Sequence, residues 1–159
     1  MYMHRPMITP RQGRKTLRAD AGALVDACVG GNLRLAARHV TRFLDRALAE
    51  TGLGVAQLGL MARIATSEDD TLGGLARRTG LDQSTLSRNL RTLEGQGLVE
   101  IATVETDLRR RMVWLTELGA RRLEAALPLW RAANATLATR ISPDVARNLA
   151  DEAELLMPE

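Results

Sequence analysis

The segment Leu72-Gly73-Gly74-Leu75-Ala76-Arg77-Arg78-Thr79-Gly80-Leu81-Asp82-Gln83-Ser84-Thr85-Leu86-Ser87-Arg88-Asn89-Leu90 decides the fold of this chain. It reads as two short helices set at a steep angle. Thr71 is a natural N-cap for a helix over Leu72 to Thr79, Gly80 suits the left-handed residue that ends it, and Asp82 can cap the next helix. Ala76 supplies the small side chain that a close crossing needs, while Leu75, Leu81, Leu86 and Leu90 fill the junction. The second helix places Leu86, Leu90 and Leu93 on one apolar stripe, at spacings of four and three. Its other positions, Gln83, Ser84, Thr85, Ser87, Arg88 and Arg91, are short polar groups or arginines, which suit a groove of base edges and phosphates. The layout is that of a helix-turn-helix.

Gly95 and Gly97 end the second helix, and the period then changes. Leu98 to Val104 leans toward a strand, Met112 to Leu115 toward another, with a polar, charged turn between them that carries Arg109, Arg110 and Arg111 near its tip. A helix-turn-helix followed at once by a basic hairpin is a winged helix, whose wing can lay an arginine in the narrow, electronegative minor groove beside the major-groove contact. Double-stranded DNA is the expected partner. The rival reading is a winged-helix module that holds another protein and binds no DNA.

Outward from this core the pattern is helical. Leu33, Ala36, Val40, Phe43, Leu44, Ala47 and Leu48 recur at three- and four-residue steps, punctuated before by Gly30-Gly31-Asn32 and after by Thr51-Gly52. A short helix is expected from Val55 to Ala65, with Leu58, Met61, Ala62 and Ala65 inward, and Ser67-Glu68-Asp69-Asp70 as a turn. Thr116 caps a long helix to about Arg140, with a bend expected at Pro128, and Pro143 opens a final helix whose apolar face is Val145, Leu149, Leu155 and Leu156. The fold class is therefore mostly α, a winged helix-turn-helix with a two-stranded wing between N- and C-terminal helices. The expected divisions are a basic, flexible arm over residues 1–20, a dimerisation helix region over 21–54, a DNA-binding lobe over 55–116 and C-terminal dimerisation helices over 117–159. The terminal helices carry more apolar surface than a small winged-helix core can cover, so a homodimer on a palindromic operator is expected.

Composition narrows the alternatives. The 159 residues are 45% apolar and 26% charged, and no apolar run is long enough to span a membrane. The basic first twenty residues never open into an apolar stretch with a cleavage site, so a secretory signal is not expected and the cytoplasm is. One cysteine and two separated histidines, His4 and His39, supply no metal cluster and no cofactor site. Neither a nucleophile beside a base nor a phosphate-cradling glycine loop is present, so an enzyme is not expected. The net charge is only +3, but it is concentrated at the N-terminus, in the helix-turn-helix and at Arg109 to Arg111, and the tail after Pro143 is acidic.

The segments Leu93-Glu94-Gly95-Gln96-Gly97-Leu98-Val99, Asp107-Leu108-Arg109 and Leu115-Thr116-Glu117-Leu118-Gly119, with the order of helices, resemble the MarR family of bacterial transcription regulators over about Leu33 to Leu156. The resemblance implies a dimer with interlocked first and last helices. It also implies Ser84, Thr85 and Arg88 facing bases, and Arg109 in the minor groove oriented by Asp107 through a charge-assisted hydrogen bond. Family members release DNA when a small aromatic or anionic effector binds between dimer helices and DNA-binding lobe, or when a cysteine is oxidised. Arg38, His39 and Arg42, with Trp130 as an apolar wall, are the effector-site candidates; a solvated arginine face, or ion pairs with Asp45 and Glu124, is the plainer reading. Cys28 is the redox candidate, against the commoner case of an inert cysteine between Ala27 and Val29, and the tyrosines that hold the thiolate in the peroxide-sensing branch are missing, since the one tyrosine is Tyr2.

Overall fold

A computed structural model of the chain describes residues 15–67, 71–104 and 107–156, without the side chains of residues 15, 16, 104 and 107–110. The helices are α1 (Lys15–Ala27), α2 (Val29–Ala47), α3 (Val55–Ala65), α4 (Leu72–Thr79), α5 (Gln83–Gly95), α6 (Glu117–Ala138) and α7 (Pro143–Glu154). One antiparallel hairpin, β1 (Val99–Val104) with β2 (Asp107–Leu115), lies between α5 and α6. The mostly helical winged architecture read from the sequence is the one observed. The chain divides into two compact units, residues 1–39 and 40–159.

In the first unit the flexible arm expected over residues 1–20 gives way to helix from Lys15, where Leu17, Arg18, Ala19 and Ala21 are good helix formers; residues 1–14 lie outside the described residues. The expected start of α2 is also corrected. The helix begins at Val29, and Gly30, Gly31 and Asn32 lie inside its first turns. Cys28 replaces the expected punctuation as the cap. Its sulfur accepts the Gly31 amide at 3.2 Å and its carbonyl accepts the Asn32 amide at 3.0 Å, so first-turn donors that lack helical partners are satisfied.

The second unit holds the core. Leu48, Met61, Leu75, Leu93, Leu98, Val99 and Val113 are all but fully buried, joined by Leu86 and Leu90 from the predicted stripe of α5. In α3 the inward residues are Leu58, Leu60, Met61 and Ile64; Ala62 is half-buried and Ala65 exposed, because the larger side chains remove more apolar surface from water. Asp45 caps α3 across ten residues, its Oδ1 accepting the Val55 amide at 2.7 Å, so this carboxylate serves a helix end in place of the arginine pairing considered from sequence. Arg122 of α6 donates to the Thr51 carbonyl at 2.7 Å.

Helix α4 starts and stops as its sequence requires. The Thr71 hydroxyl accepts the Gly74 amide at 3.1 Å, and Gly80 has φ of 61°. Strand β2 is five residues longer than expected, so Arg109, Arg110 and Arg111 lie on the strand and not on a turn. Of the three arginines only Arg111 has a register partner, Thr103; Val104 faces Asp107, and Leu108, Arg109 and Arg110 fall in the irregular stretch of β2 between these pairs. On the wing's solvent side the Trp114 indole donates to Glu100 Oε2 at 3.1 Å. An isolated bridge pairs Thr71 with Met112.

The hinge of the architecture is the entry to α6. Thr116 donates its hydroxyl to the Gly97 carbonyl at 2.6 Å and accepts the Gly119 amide at 2.9 Å, while the Leu98 carbonyl accepts the Thr116 amide at 3.1 Å. Gly119 rests directly on Leu98. A Cβ there would be driven into the Leu98 carbonyl oxygen and would stand 2.9 Å from its carbon and 3.2 Å from its Cα. Helix α6 continues unbroken through Pro128.

A glycine-to-alanine exchange within a helix ordinarily stabilises, but at Gly119 the clash reverses the sign. Gly119→Ala is expected to lose about 3 kcal/mol of stability, whereas Gly95→Ala, where a Cβ meets nothing within 4 Å, is expected to gain about 0.5 kcal/mol. Denaturant midpoints of the two variants check both signs.

Candidate nucleic-acid interface

Helix α5 presents two chemically opposed faces. Leu86, Leu90 and Leu93 enter the core, with 4%, 2% and 0% of their surface exposed, and this burial fixes the rotation of the helix. Gln83, Ser84, Ser87, Arg88 and Arg91 are consequently exposed, and Thr85 is half-buried. A surface cavity of about 530 Å³ lies along this outer face, lined by Ser84, Ser87, Arg88, Arg91 and Thr92. Thr92 was not singled out in the sequence, although it falls on the same face four residues after Arg88; its hydroxyl donates to the Arg88 carbonyl at 3.0 Å.

Asp82 organises the N-terminus of α5. Its Oδ1 accepts the Thr85 amide at 2.8 Å and the Ser84 hydroxyl at 2.5 Å, and its Oδ2 accepts the Thr85 hydroxyl at 2.7 Å. The Ser84 hydroxyl, then the Thr85 hydroxyl and the Thr85 amide, hold the Asp82 carboxyl well below the usual carboxylate range. The positive end of the helix dipole favours the same ionised form. Sequence identified Asp82 as a cap; its grip on two hydroxyls of the polar face is a finding of the structure.

Asp107, Arg109 and Arg110 occupy the start of β2, and their side chains lie outside the described residues. Arg111 is exposed and pairs through its backbone with Thr103. Arg77 and Arg78 are exposed on α4. Arg38 and His39 are exposed in the first unit; Arg42 is exposed and Trp130 packs half-buried against the core in the second. Cys28 is half-buried at the N-terminus of α2. Among the described residues no group of three or more histidines, cysteines or carboxylates could hold a metal ion, and no helix is long and apolar enough to cross a membrane.

The sequence profile of the MarR family matches residues 51–110, which span the helix-turn-helix and most of the wing. The crystal structure of the M. tuberculosis transcriptional regulator MosR in complex with DNA is 34% identical, covers 81% of this chain and 96% of its own, and superposes with a TM-score of 0.75. This chain belongs to the MarR family. Its helices and hairpin therefore form the fold of MarR-family transcriptional regulators. A second crystal structure of the M. tuberculosis transcriptional regulator MosR is 33% identical, over 83% of this chain and 97% of its own, with a TM-score of 0.72. A mutant of E. coli MarR complexed with operator DNA shares the fold, with a TM-score of 0.71 over 86% of this chain and 98% of its own at 22% identity. One curated protein, the phenylalanine–tRNA ligase alpha subunit of Pyrococcus horikoshii, is 38% identical over 80 residues, half of this MarR-family chain; the chain spans 15% of that protein's length.

The Asp82 cap has a pH signature. A carboxyl whose pKa is depressed by folding stabilises fully above its ordinary value of 3.8 and loses that contribution as pH falls below it toward the folded pKa. Asp82→Asn keeps a capping oxygen but cannot titrate. Stability of the wild type is therefore expected to fall more steeply than that of Asp82→Asn on acidification below pH 4, and denaturant midpoints measured across the acid range check it.

Proposed function

We propose that this protein is a dimeric, sequence-specific DNA-binding transcription regulator, a repressor, with α5 as its major-groove reading helix. The observation that carries this reading is the outer face of α5: Ser84, Ser87, Arg88 and Arg91 stand exposed around one cavity while the leucines on the opposite face are buried. Arginine presents donors in a fork that matches the O6 and N7 acceptors of guanine, and serine hydroxyls serve smaller contacts. On the wing, Arg109 enters the minor groove with Asp107 beside it, and Arg110 and Arg111 meet phosphates. The protein acts by binding and not by catalysis, in the cytoplasm.

The dimer is supported by surface that one copy leaves uncovered. Helix α7 buries none of its side chains, and Val145, Leu149, Leu155 and Leu156 are 52%, 47%, 80% and 82% exposed. An amphipathic helix with its apolar face in water favours a partner surface, and a second copy related by a twofold axis supplies the same face in return. Two reading helices then address successive major grooves of a palindrome.

Release from DNA follows either the uptake of a small aromatic or anionic effector or oxidation at Cys28. The Cys28 sulfur stands half-buried at the start of α2, where it accepts the Gly31 amide at 3.2 Å, and a variant at this position separates the two routes. Peroxide-treated wild type is expected to lose its mobility shift on operator DNA while Cys28→Ser keeps it; equal behaviour of the two assigns release to a ligand.

The groove assignment is tested by binding. Arg88→Ala is expected to cost about 1–3 kcal/mol and to relax sequence preference, whereas Arg109→Ala weakens binding to all sequences and lowers the slope of affinity against salt by about one. Equal affinity of Arg88→Ala and wild type for the selected palindrome would refute the major-groove role. Leu149→Glu, exposed in the single copy, is expected to sediment as a folded monomer and to bind the palindrome no better than a half-site.

A further inference from the structure

We propose that Asp82 dictates which base group Ser84 reads: by holding the hydroxyl hydrogen, it leaves only lone pairs facing the groove, so that Ser84 accepts from the exocyclic amino group of adenine or cytosine. The inference rests on α5 being the major-groove helix.

A free serine hydroxyl rotates to donate or to accept, and so reads little. Ser84 is not free in that sense. Its oxygen lies 2.5 Å from Asp82 Oδ1, and an ionised carboxylate has no hydrogen to give, so the serine hydrogen must point back at Asp82. Two further donors, the Thr85 amide at 2.8 Å and the Thr85 hydroxyl at 2.7 Å, fix the carboxylate in that orientation. The Ser84 hydroxyl itself, with these two donors, holds the carboxyl well below the usual carboxylate range, so it is ionised at neutral pH.

The outward side of Ser84 opens on the cavity it shares with Ser87, Arg88, Arg91 and Thr92. Arg88 and Arg91 can only donate, and so address guanine O6 and N7. The donors of the major groove, the N6 amino group of adenine and the N4 amino group of cytosine, need an acceptor, which the locked Ser84 oxygen is. Thymine O4 or guanine O6 in the same place would set lone pair against lone pair. Within about two helix turns the recognition surface thus carries both polarities, arginines for carbonyl edges and a locked hydroxyl for amino edges.

Duplexes selected from a random library by wild type and by Ser84→Ala identify the base pair that Ser84 contacts as the position whose preference collapses in the variant. Deleting the amino group of that pair, with purine for adenine or 2-pyrimidinone for cytosine, is expected to weaken wild-type binding roughly three- to tenfold, the worth of one hydrogen bond, and to cost Ser84→Ala no more than it costs at an uncontacted pair. A thiocarbonyl in place of the carbonyl oxygen of the same pair is expected to change nothing. Asp82→Gly, which keeps a tolerable helix start, frees the hydroxyl and shrinks the dependence on the amino group; Asp82→Asn removes the same charge but keeps an oxygen for Ser84 and the Thr85 amide, and retains it. The proposal is overturned if the thiocarbonyl weakens binding and amino deletion does not, if no position responds to Ser84→Ala, or if the Gly and Asn variants keep the same dependence. Folded wild type that enriches no duplex at all removes the DNA-binding reading itself, and this inference with it.

Discussion

The second unit is organised around the contact of Leu98 with Thr116 and Gly119. The Leu98 amide closes α5 by donating to the Leu93 carbonyl at 2.9 Å, its carbonyl takes the Thr116 amide, and its backbone is the surface on which Gly119 rests. The end of α5, the residue before β1 and the start of α6 therefore meet at one point. Each backbone polar group there has a partner, which is what permits so close an approach away from solvent.

From that anchor the outer face of α5 follows by exclusion. Three leucines on one side of the helix each stabilise by roughly 2 kcal/mol when buried, far more than any rotation of the helix could regain from its polar residues. The polar side is left in water with its charges unneutralised by the core. Asp82 then adds orientation at the one end where backbone donors are in excess, binding two side-chain hydroxyls as well as the amide. A cap that would serve only the helix elsewhere here also imposes direction on a candidate contact surface.

The two ends of the chain show the opposite balance. In α7 no side chain is buried, and in the first unit Leu17, Leu24 and Val25 are 62%, 68% and 69% exposed. Apolar area at this density in elements that are otherwise well formed is unlike the surface of residues 44–140, where Trp114 and Leu118 are the large apolar side chains left exposed among the described residues. Amphipathic helices whose apolar faces remain wet contribute little to the stability of a single copy, so the stability of these elements is coupled to whatever covers them.

Much of the fold was legible in the chain because its signals are local. Thr71, Gly80 and Asp82, and Thr116 in its role as the cap of α6, each act within four residues, and the leucine stripe of α5 needs only helical periodicity. The polar face of α5 was readable for the same reason. What the sequence misled on was punctuation whose meaning depends on a partner. Gly30 and Gly31 look like a helix boundary until the Cys28 sulfur is seen capping through them, and Arg111 looks like part of a turn until Thr103 of β1 is seen pairing with it. Only the tertiary structure decided that Asp45 caps α3, that Thr92 joins the cavity of Ser84 and Arg88, and that Gly119 admits no side chain. These depend on contacts between groups up to twenty-one residues apart, from Leu98 to Gly119, or on the direction of a hydroxyl. A one-dimensional pattern records neither distance nor direction between such groups, whereas packing sets both.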